Sequence, residues 1–174
     1  SIYMDINDPE CPLLVELKTF SKEEYYRAVH TAYLCDRIAK RLNLDYAVVK
    51  ACGYYHRIGI MRGENNWENV SAILQEYKFP IEVQTILQEY IDKNEIIISK
   101  ETVVLLFCDT VISSISYLFS QNSQANMDYQ KIITAIFKKK LESGMIDYSR
   151  LTFGELQEMK KILVEEKLYY DFLR

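Results

Sequence analysis

Apolar residues recur at intervals of three and four along most of this chain, which is the spacing of one face of an α-helix. The clearest stripe follows Ser21 and comprises Tyr26, Val29, Tyr33, Leu34, Ile38 and Leu42. Ser21 and Glu24 have the spacing of a capping box, so a helix is predicted to begin at Ser21. A second helix is predicted after Asp45, ending near His56 and just before Gly59.

Further helices are predicted over most of the remaining chain. Short apolar patterns predict helices that begin at Pro12, at Trp67 and near Pro80. The apolar run 103–108 has the length of a buried strand, but its spacing continues helically as far as Leu118, which favours one long central helix.

The last part of the chain follows the same rule. A helix is predicted from Met127 to Gly144, and Thr152 with Glu155 forms a second capping box that opens a final helix. No segment favours a strand over a helix, so the expected fold class is all-α.

Composition limits the function classes. The 174 residues suit one domain with a sizeable core; 49% are hydrophobic, and only five glycines and three prolines interrupt the chain. A net charge of −4 gives no support for nucleic-acid binding, which needs a basic surface. No apolar run is long enough to predict a membrane span, and no leader pattern opens the sequence.

The four cysteines point to a reducing compartment. Cys11, Cys35, Cys52 and Cys108 show no C-x-x-C spacing, which fits free thiols better than a zinc site or a disulfide framework. We therefore expect a cytoplasmic protein.

Asp109 is the first candidate for chemistry because it stands on the apolar stripe of the long helix. The residues three and four positions away are Leu105, Leu106, Ile112 and Ser113. An unpaired buried carboxylate is costly, so a cation or a metal is expected beside it, unless this part of the stripe faces solvent.

The chain has two histidines, and each has a structural and a functional interpretation. His56 lies near a predicted helix end, where a histidine can be a hydrogen-bonding residue or a metal ligand. His30 lies within the first apolar stripe, and there a hydrogen-bonded core histidine is the favoured interpretation.

Several stretches together carry a family resemblance. They are 8–14, 53–59 with His56 before Ile58 and Gly59, 76–80, 107–111 with Asp109, and 139–147 leading to Leu151 and Thr152. In these the chain resembles the HD-domain phosphohydrolases, and it looks closest to the cytoplasmic domain of seven-transmembrane phosphodiesterases that hydrolyse cyclic di-AMP. The resemblance implies a helical bundle of about seven to nine helices. It also implies a single HD domain over 1–174, with 127–174 as a C-terminal helical extension.

The resemblance also implies a metal site, from which this chain departs. The family has an early histidine, a His-Asp pair, further histidines and a late aspartate, which bind one or two metals that activate a water to attack phosphorus. The corresponding residues here are Arg27, His56 with Arg57, Asn66, Tyr90 with Ile91, and Asp109. Only His56 and Asp109 match the family's ligands, so the site is expected to be degenerate.

Two ligands are too few for a hydrolytic metal centre, which usually needs at least three. A fallback metal site would recruit His30 beside His56 and Asp109. The favoured alternative has no metal: Arg27, Arg57 or both would pair with Asp109, and His56 would complete a hydrogen-bond network.

Three functions remain open from the sequence. The first, and the favoured one, is a catalytically inactive regulatory or interaction module without a cofactor, for which self-association is one possibility. The second is a metal-free receptor for a nucleotide or another phosphate-bearing ligand that uses Arg27 and Arg57. The third is a surviving phosphohydrolase or phosphodiesterase that acts on a nucleotide with a divalent metal such as iron or manganese.

Overall fold

The computed structural model describes residues 1–174 and contains helices only. The α-helices are α1 Ile2–Ile6, α2 Pro12–Phe20, α3 Lys22–Arg41, α4 Tyr46–Tyr55, α5 Trp67–Glu76, α6 Ile81–Ile91, α7 Lys100–Gln121, α8 Tyr129–Glu142, α9 Phe153–Glu165 and α10 Lys167–Tyr170. Two 3₁₀ segments, Ile58–Arg62 and Asp171–Leu173, complete the chain. The all-α prediction is confirmed, although the short helices α1 and α10 were not predicted.

The predicted helix starts rest on side-chain caps. The hydroxyl of Thr152 accepts a hydrogen bond from the Glu155 backbone N–H and the Glu155 carboxylate accepts one from Thr152, which is a complete capping box. At α3 only half of the predicted box forms, because Ser21 accepts from the Glu24 backbone N–H while the Glu24 carboxylate binds Arg57. A long-range ion pair has therefore replaced a local contact.

Helix α7 is the centre of the molecule. Eleven of its 22 residues are buried, and it packs against α3, α4, α6 and α8. Its mean hydropathy of 1.8 and its length would allow it to cross a membrane, but 61% of the apolar window is buried inside the protein. Burial of this kind is what the core helix of a globular domain shows.

Helices α3 and α4 form a hairpin beside α7. Asn43 turns the chain between them with a φ of 57°, a left-handed conformation that asparagine tolerates better than most residues. Further along, the backbone of Gly53 in α4 lies directly against Ala32 in α3. This close approach brings the end of α4, with His56 and Arg57, beside the first half of α3.

The C-terminal helices share the same core. One cluster of buried apolar side chains runs from Ile6 to Tyr170 and includes Ile133 of α8 and Leu163 of α9. Beyond α9, the buried Glu166 accepts hydrogen bonds from Arg37 Nε at 2.7 Å and from the Tyr33 hydroxyl at 2.9 Å. These bonds fix the C-terminal segment against α3.

The hairpin contact predicts a position-specific effect of adding one methyl group. A Cβ at Gly53 would lie 2.6 Å from Ala32 Cα, so Gly53→Ala should lower the free energy of unfolding by about 1–3 kcal/mol through overpacking. Gly154→Ala in α9 is the matched control, since its Cβ would meet nothing closer than 4.0 Å. Urea denaturation of both variants checks this, and equal stability of the two would contradict the close packing.

Candidate functional site

The carboxylate of Asp109 is the point on which side chains from four helices converge. Arg27 of α3 donates to Oδ1 from Nη2 at 2.8 Å and from Nε at 3.3 Å. Ser113, one turn along α7, donates to the same oxygen at 3.0 Å, and the Tyr90 hydroxyl of α6 donates to Oδ2 at 2.5 Å. Only 13% of the Asp109 side chain is exposed, so this carboxylate does not face solvent. Its cationic partner is Arg27.

The electrostatics of this cluster favour the ionised carboxylate. Burial by itself would raise the pKa of Asp109, but the charges of His56 and Arg27 and the Tyr90 hydrogen bond outweigh burial and hold that pKa well below its usual range. Burial and the neighbouring carboxylate raise the pKa of the Tyr90 hydroxyl, which therefore stays protonated and acts as the hydrogen-bond donor.

His56 lies at the end of α4 and is almost completely buried, with 1% of its side chain exposed. Its Nδ1 donates to the Gly53 carbonyl at 2.8 Å, and because a carbonyl only accepts, this nitrogen carries a proton. Its Nε2 lies 3.3 Å from Asp109 Oδ1 but makes no well-aligned hydrogen bond. The second ring nitrogen therefore faces the same Asp109 oxygen that accepts hydrogen bonds from Arg27.

Arg57 has a different partner from the one considered in the sequence. It binds Glu24 through two hydrogen bonds, from Nε at 2.7 Å and from Nη2 at 2.9 Å, and makes no hydrogen bond with Asp109. Burial raises the pKa of Glu24, yet the paired guanidinium more than offsets this and lowers it overall. Of the two arginines considered as partners of Asp109, the structure therefore pairs Arg27 with it.

The structure does not bring the fallback metal ligands together. His30 Nδ1 lies 2.7 Å from the Tyr169 hydroxyl, and burial lowers the pKa of His30. No group of three His, Cys, Asp or Glu side chains anywhere in the chain is close enough to hold a metal ion. Because both Asp109 oxygens accept hydrogen bonds from protein donors, the residues present do not fit a divalent metal centre.

Sequence reasoning missed three members of the cluster. Glu24 carried a signal, but the capping-box spacing assigned its carboxylate to the helix end. Tyr90 was visible only as a position where the family has a histidine, and Ser113 only as a neighbour of Asp109 on the helix. Asn66, another such position, caps α5 by accepting from the Asn69 backbone N–H at 2.8 Å.

Removing the central carboxylate should destabilise the protein. Asp109→Ala leaves Arg27 without its anion, and the loss expected for breaking a buried pair is about 3–5 kcal/mol. The lower end applies, because 29% of the Arg27 side chain is exposed and solvent screens its charge. The free energy of unfolding from urea denaturation measures this loss.

The matched control is Glu76→Ala, which removes the exposed Arg62–Glu76 pair. An exposed pair of this kind contributes less than about 1 kcal/mol. If both variants lost the same small amount, Asp109 would not be the organising charge of the cluster.

The low pKa of Asp109 predicts a specific pH dependence. A carboxyl with a depressed folded-state pKa contributes stability that is complete above the unfolded-state value of about 4 and is lost as the pH falls toward the folded-state value. The stability advantage of the wild type over Asp109→Asn should therefore shrink below about pH 4. Urea denaturation of both proteins from about pH 6 to about pH 2.5, a range that brackets this change, measures the difference in stability. A difference in stability that stays constant over this range would contradict the low pKa assigned to Asp109.

Comparisons with known proteins agree with this architecture. No protein-family model and no curated protein matches the sequence. Among solved structures, the HD domain of the Listeria monocytogenes phosphodiesterase PgpH superposes with a TM-score of 0.74 at 17% identity, over 91% of this chain and 99% of that one. The same domain in complex with cyclic-di-AMP gives a TM-score of 0.71 at 16% identity, over 93% and 99% of the two chains. The fold implied by the sequence resemblance is confirmed: this chain has the HD-domain fold.

Proposed function

We propose that this chain is a non-catalytic HD-fold module that acts in regulation or interaction in the cytoplasm, with ion pairs in place of a metal centre. One observation carries the proposal: the guanidinium of Arg27 binds Asp109 Oδ1 at 2.8 Å, where a family metal would need that carboxylate as a ligand. The position that the resemblance assigns to a histidine ligand thus supplies a fixed positive charge instead.

The charge balance of the cluster supports this proposal. Arg27 and Arg57 are matched by Asp109 and Glu24, so the four side chains form two pairs with no net charge. A divalent cation would find no free carboxylate and would be repelled by two guanidinium groups. To bind there it would have to separate at least one partly buried ion pair.

The hydrolytic reaction of the family needs a metal that lowers the pKa of a bound water. An arginine supplies hydrogen bonds and charge, but it has no open coordination position at which a water could be activated. His30 bonds Tyr169 through Nδ1 and does not form, with His56 and Asp109, a group that could hold a metal ion. These facts favour an inactive domain over a phosphohydrolase that uses iron or manganese.

A module of this kind needs a surface for its partner. Large apolar side chains are exposed near the C-terminus of the chain, among them Leu168 and Phe172, and others occur at Phe153 and Tyr148. Aromatic residues are enriched at protein interfaces, which makes self-association or another protein partner the proposed use of these exposed side chains.

A second candidate is a metal-free receptor for a nucleotide or another phosphate-bearing ligand. The observation that favours it is the similarity to an HD domain solved with cyclic-di-AMP. Arg27 contributes to this candidate because its side chain is partly exposed. Arg57 contributes less, since Glu24 already engages it through two hydrogen bonds.

Metal content tests the principal proposal. Protein purified from cells grown with added iron and manganese should contain far less than one metal ion per chain, because the ligand set is incomplete. Elemental analysis by mass spectrometry measures this. One tightly held ion per chain would overturn the proposal.

The matched variant combines Arg27→His with Arg57→Asp and restores the two residue types that the resemblance assigns to ligands. Its metal content should rise above that of the wild type in the same growth medium.

Adding cyclic-di-AMP to the metal-free wild type separates the two candidates, because a ligand that binds only the folded state raises the melting temperature. An unchanged melting temperature favours the interaction module.

A further inference from the structure

A cleft opens between the first half of α3, the second half of α7 and the C-terminal segment from Tyr169 onward. It has a volume of about 880 Å³. Sites for small molecules usually have volumes of about 300–1,000 Å³, so the cleft has room for one compact ligand. Its lining is rich in tyrosine and phenylalanine rings, which are Tyr26, Tyr117, Phe119, Tyr169 and Phe172.

Cations of the protein itself already lie over two of these rings. The guanidinium carbon of Arg174 is 4.3 Å from the centre of the Phe119 ring, and Lys18 Nζ is 5.7 Å from the centre of the Tyr26 ring. The face of an aromatic ring attracts positive charge, and a site enclosed by several rings is the usual receptor for a methylated ammonium group. The aromatic surface of this cleft therefore has the chemistry to hold a cation.

Other rings of the cleft have no cation over them. Tyr117 and Phe172 are 63% and 77% exposed, and no ammonium or guanidinium group of the protein lies over either ring. Tyr169 lies beside Phe172, with 5.9 Å between the ring centres. Because Tyr117 comes from α7 and the other two come from the C-terminal segment, uncommitted aromatic surface is present on two sides of the cleft.

The charges that line the cleft leave one acid uncompensated. Arg27 is paired with Asp109 at 2.8 Å, and Arg174 lies 3.5 Å from Asp171. Glu23, one turn before Arg27 on α3, also lines the cleft and makes no ion pair. The lining therefore has no spare positive charge for an anion, and it has one negative charge that a cation can balance.

The hydrogen-bonding groups of the cleft indicate which kind of cation fits. A primary ammonium has three N–H donors, each of which needs an acceptor. Glu23 is the one unpaired carboxylate of the lining, while His30 Nδ1 is engaged with the Tyr169 hydroxyl and the Ser113 hydroxyl with Asp109. A trimethylated ammonium has no N–H donor, so ring faces and one carboxylate satisfy it completely.

We propose that this cleft binds a small molecule that carries a trimethylammonium group, with the cation against Tyr117 and Phe172 and its charge balanced by Glu23. This site goes beyond the proposed function, because an interaction module needs no small-molecule ligand. It rests on that function in one respect: Arg27 stays paired with Asp109, so its guanidinium does not face the ligand as an uncompensated charge.

Choline and 3,3-dimethyl-1-butanol are a matched pair of probes, because they have the same shape and differ in a positive nitrogen against a neutral carbon. Choline should bind at least about fivefold more tightly than the alcohol, since attraction to the rings and to the carboxylate acts only on the charged compound. Proton NMR titration of the folded wild type at constant ionic strength measures both affinities. Equal affinities, or tighter binding of the alcohol, would overturn the proposal.

Ring variants locate the site. Tyr117→Ala and Phe172→Ala each remove an exposed ring of the cleft and should weaken choline binding at least about threefold. The matched control Tyr148→Ala removes an exposed tyrosine that does not line the cleft and should bind choline like the wild type. Wild-type affinity in both cleft variants would place choline elsewhere and refute the proposal.

Glu23→Gln tests the charge separately from the shape of the site. It should weaken choline binding at least about twofold and leave binding of the neutral alcohol unchanged, because the amide keeps the size of the side chain and loses its charge. Glu68→Gln is the matched control, since it changes an exposed acid of α5 that does not line the cleft. Equal choline affinity in these two variants would contradict the role given to Glu23.

The metal analysis separates this proposal from the proposed function. A metal-free protein that does not distinguish choline from the alcohol refutes the cleft proposal and leaves the proposed function standing. A protein with one metal ion per chain that still prefers choline refutes the proposed function and leaves the role of the rings and Glu23 standing.

Discussion

The structure depends on the compensation of one negative charge in the middle of its central helix. Asp109 lies in α7 among apolar neighbours, where an unpaired carboxylate would cost several kcal/mol, roughly the whole margin of stability of a small domain. Its compensation comes from hydrogen bonds with Arg27 of α3 and Tyr90 of α6 and from the nearby His56 at the end of α4. Because these side chains come from different helices, satisfying this charge also fixes how those helices meet.

An arginine can take over the structural part of a metal site but not its chemistry. Both a divalent metal and a guanidinium neutralise a carboxylate and join elements that are distant in sequence, as Arg27 and Asp109 are joined here. A guanidinium, however, offers directional N–H donors and no exchangeable coordination position for a water molecule. The HD-domain fold is retained together with this ion pair, and this combination is the reason that we propose a regulatory or ligand-sensing role, which depends on shape rather than on hydrolysis.

Most of the fold followed from local patterns in the sequence, whereas the site depended on contacts between distant residues. Caps at Ser21, Asp45 and Thr152 and the three-and-four spacing of apolar residues predicted the main helices, because these signals act within a few residues. The partner of Arg57 could not be predicted, because Glu24 was equally suited to cap its own helix. The position of the C-terminal segment was also beyond prediction, because it depends on hydrogen bonds from Tyr33 and Arg37 to Glu166, which is distant in the sequence.

A double-mutant cycle on Arg27 and Asp109 is the most direct measurement of whether their pairing organises the site. Arg27→Met and Asp109→Leu each leave one charge unpaired, whereas the double variant removes both and replaces them with apolar groups. We expect the double variant to be more stable than the sum of the single effects implies, with a coupling energy of about 2–3 kcal/mol from urea denaturation. Additivity within about 0.5 kcal/mol would contradict the account, because the two side chains would then act independently.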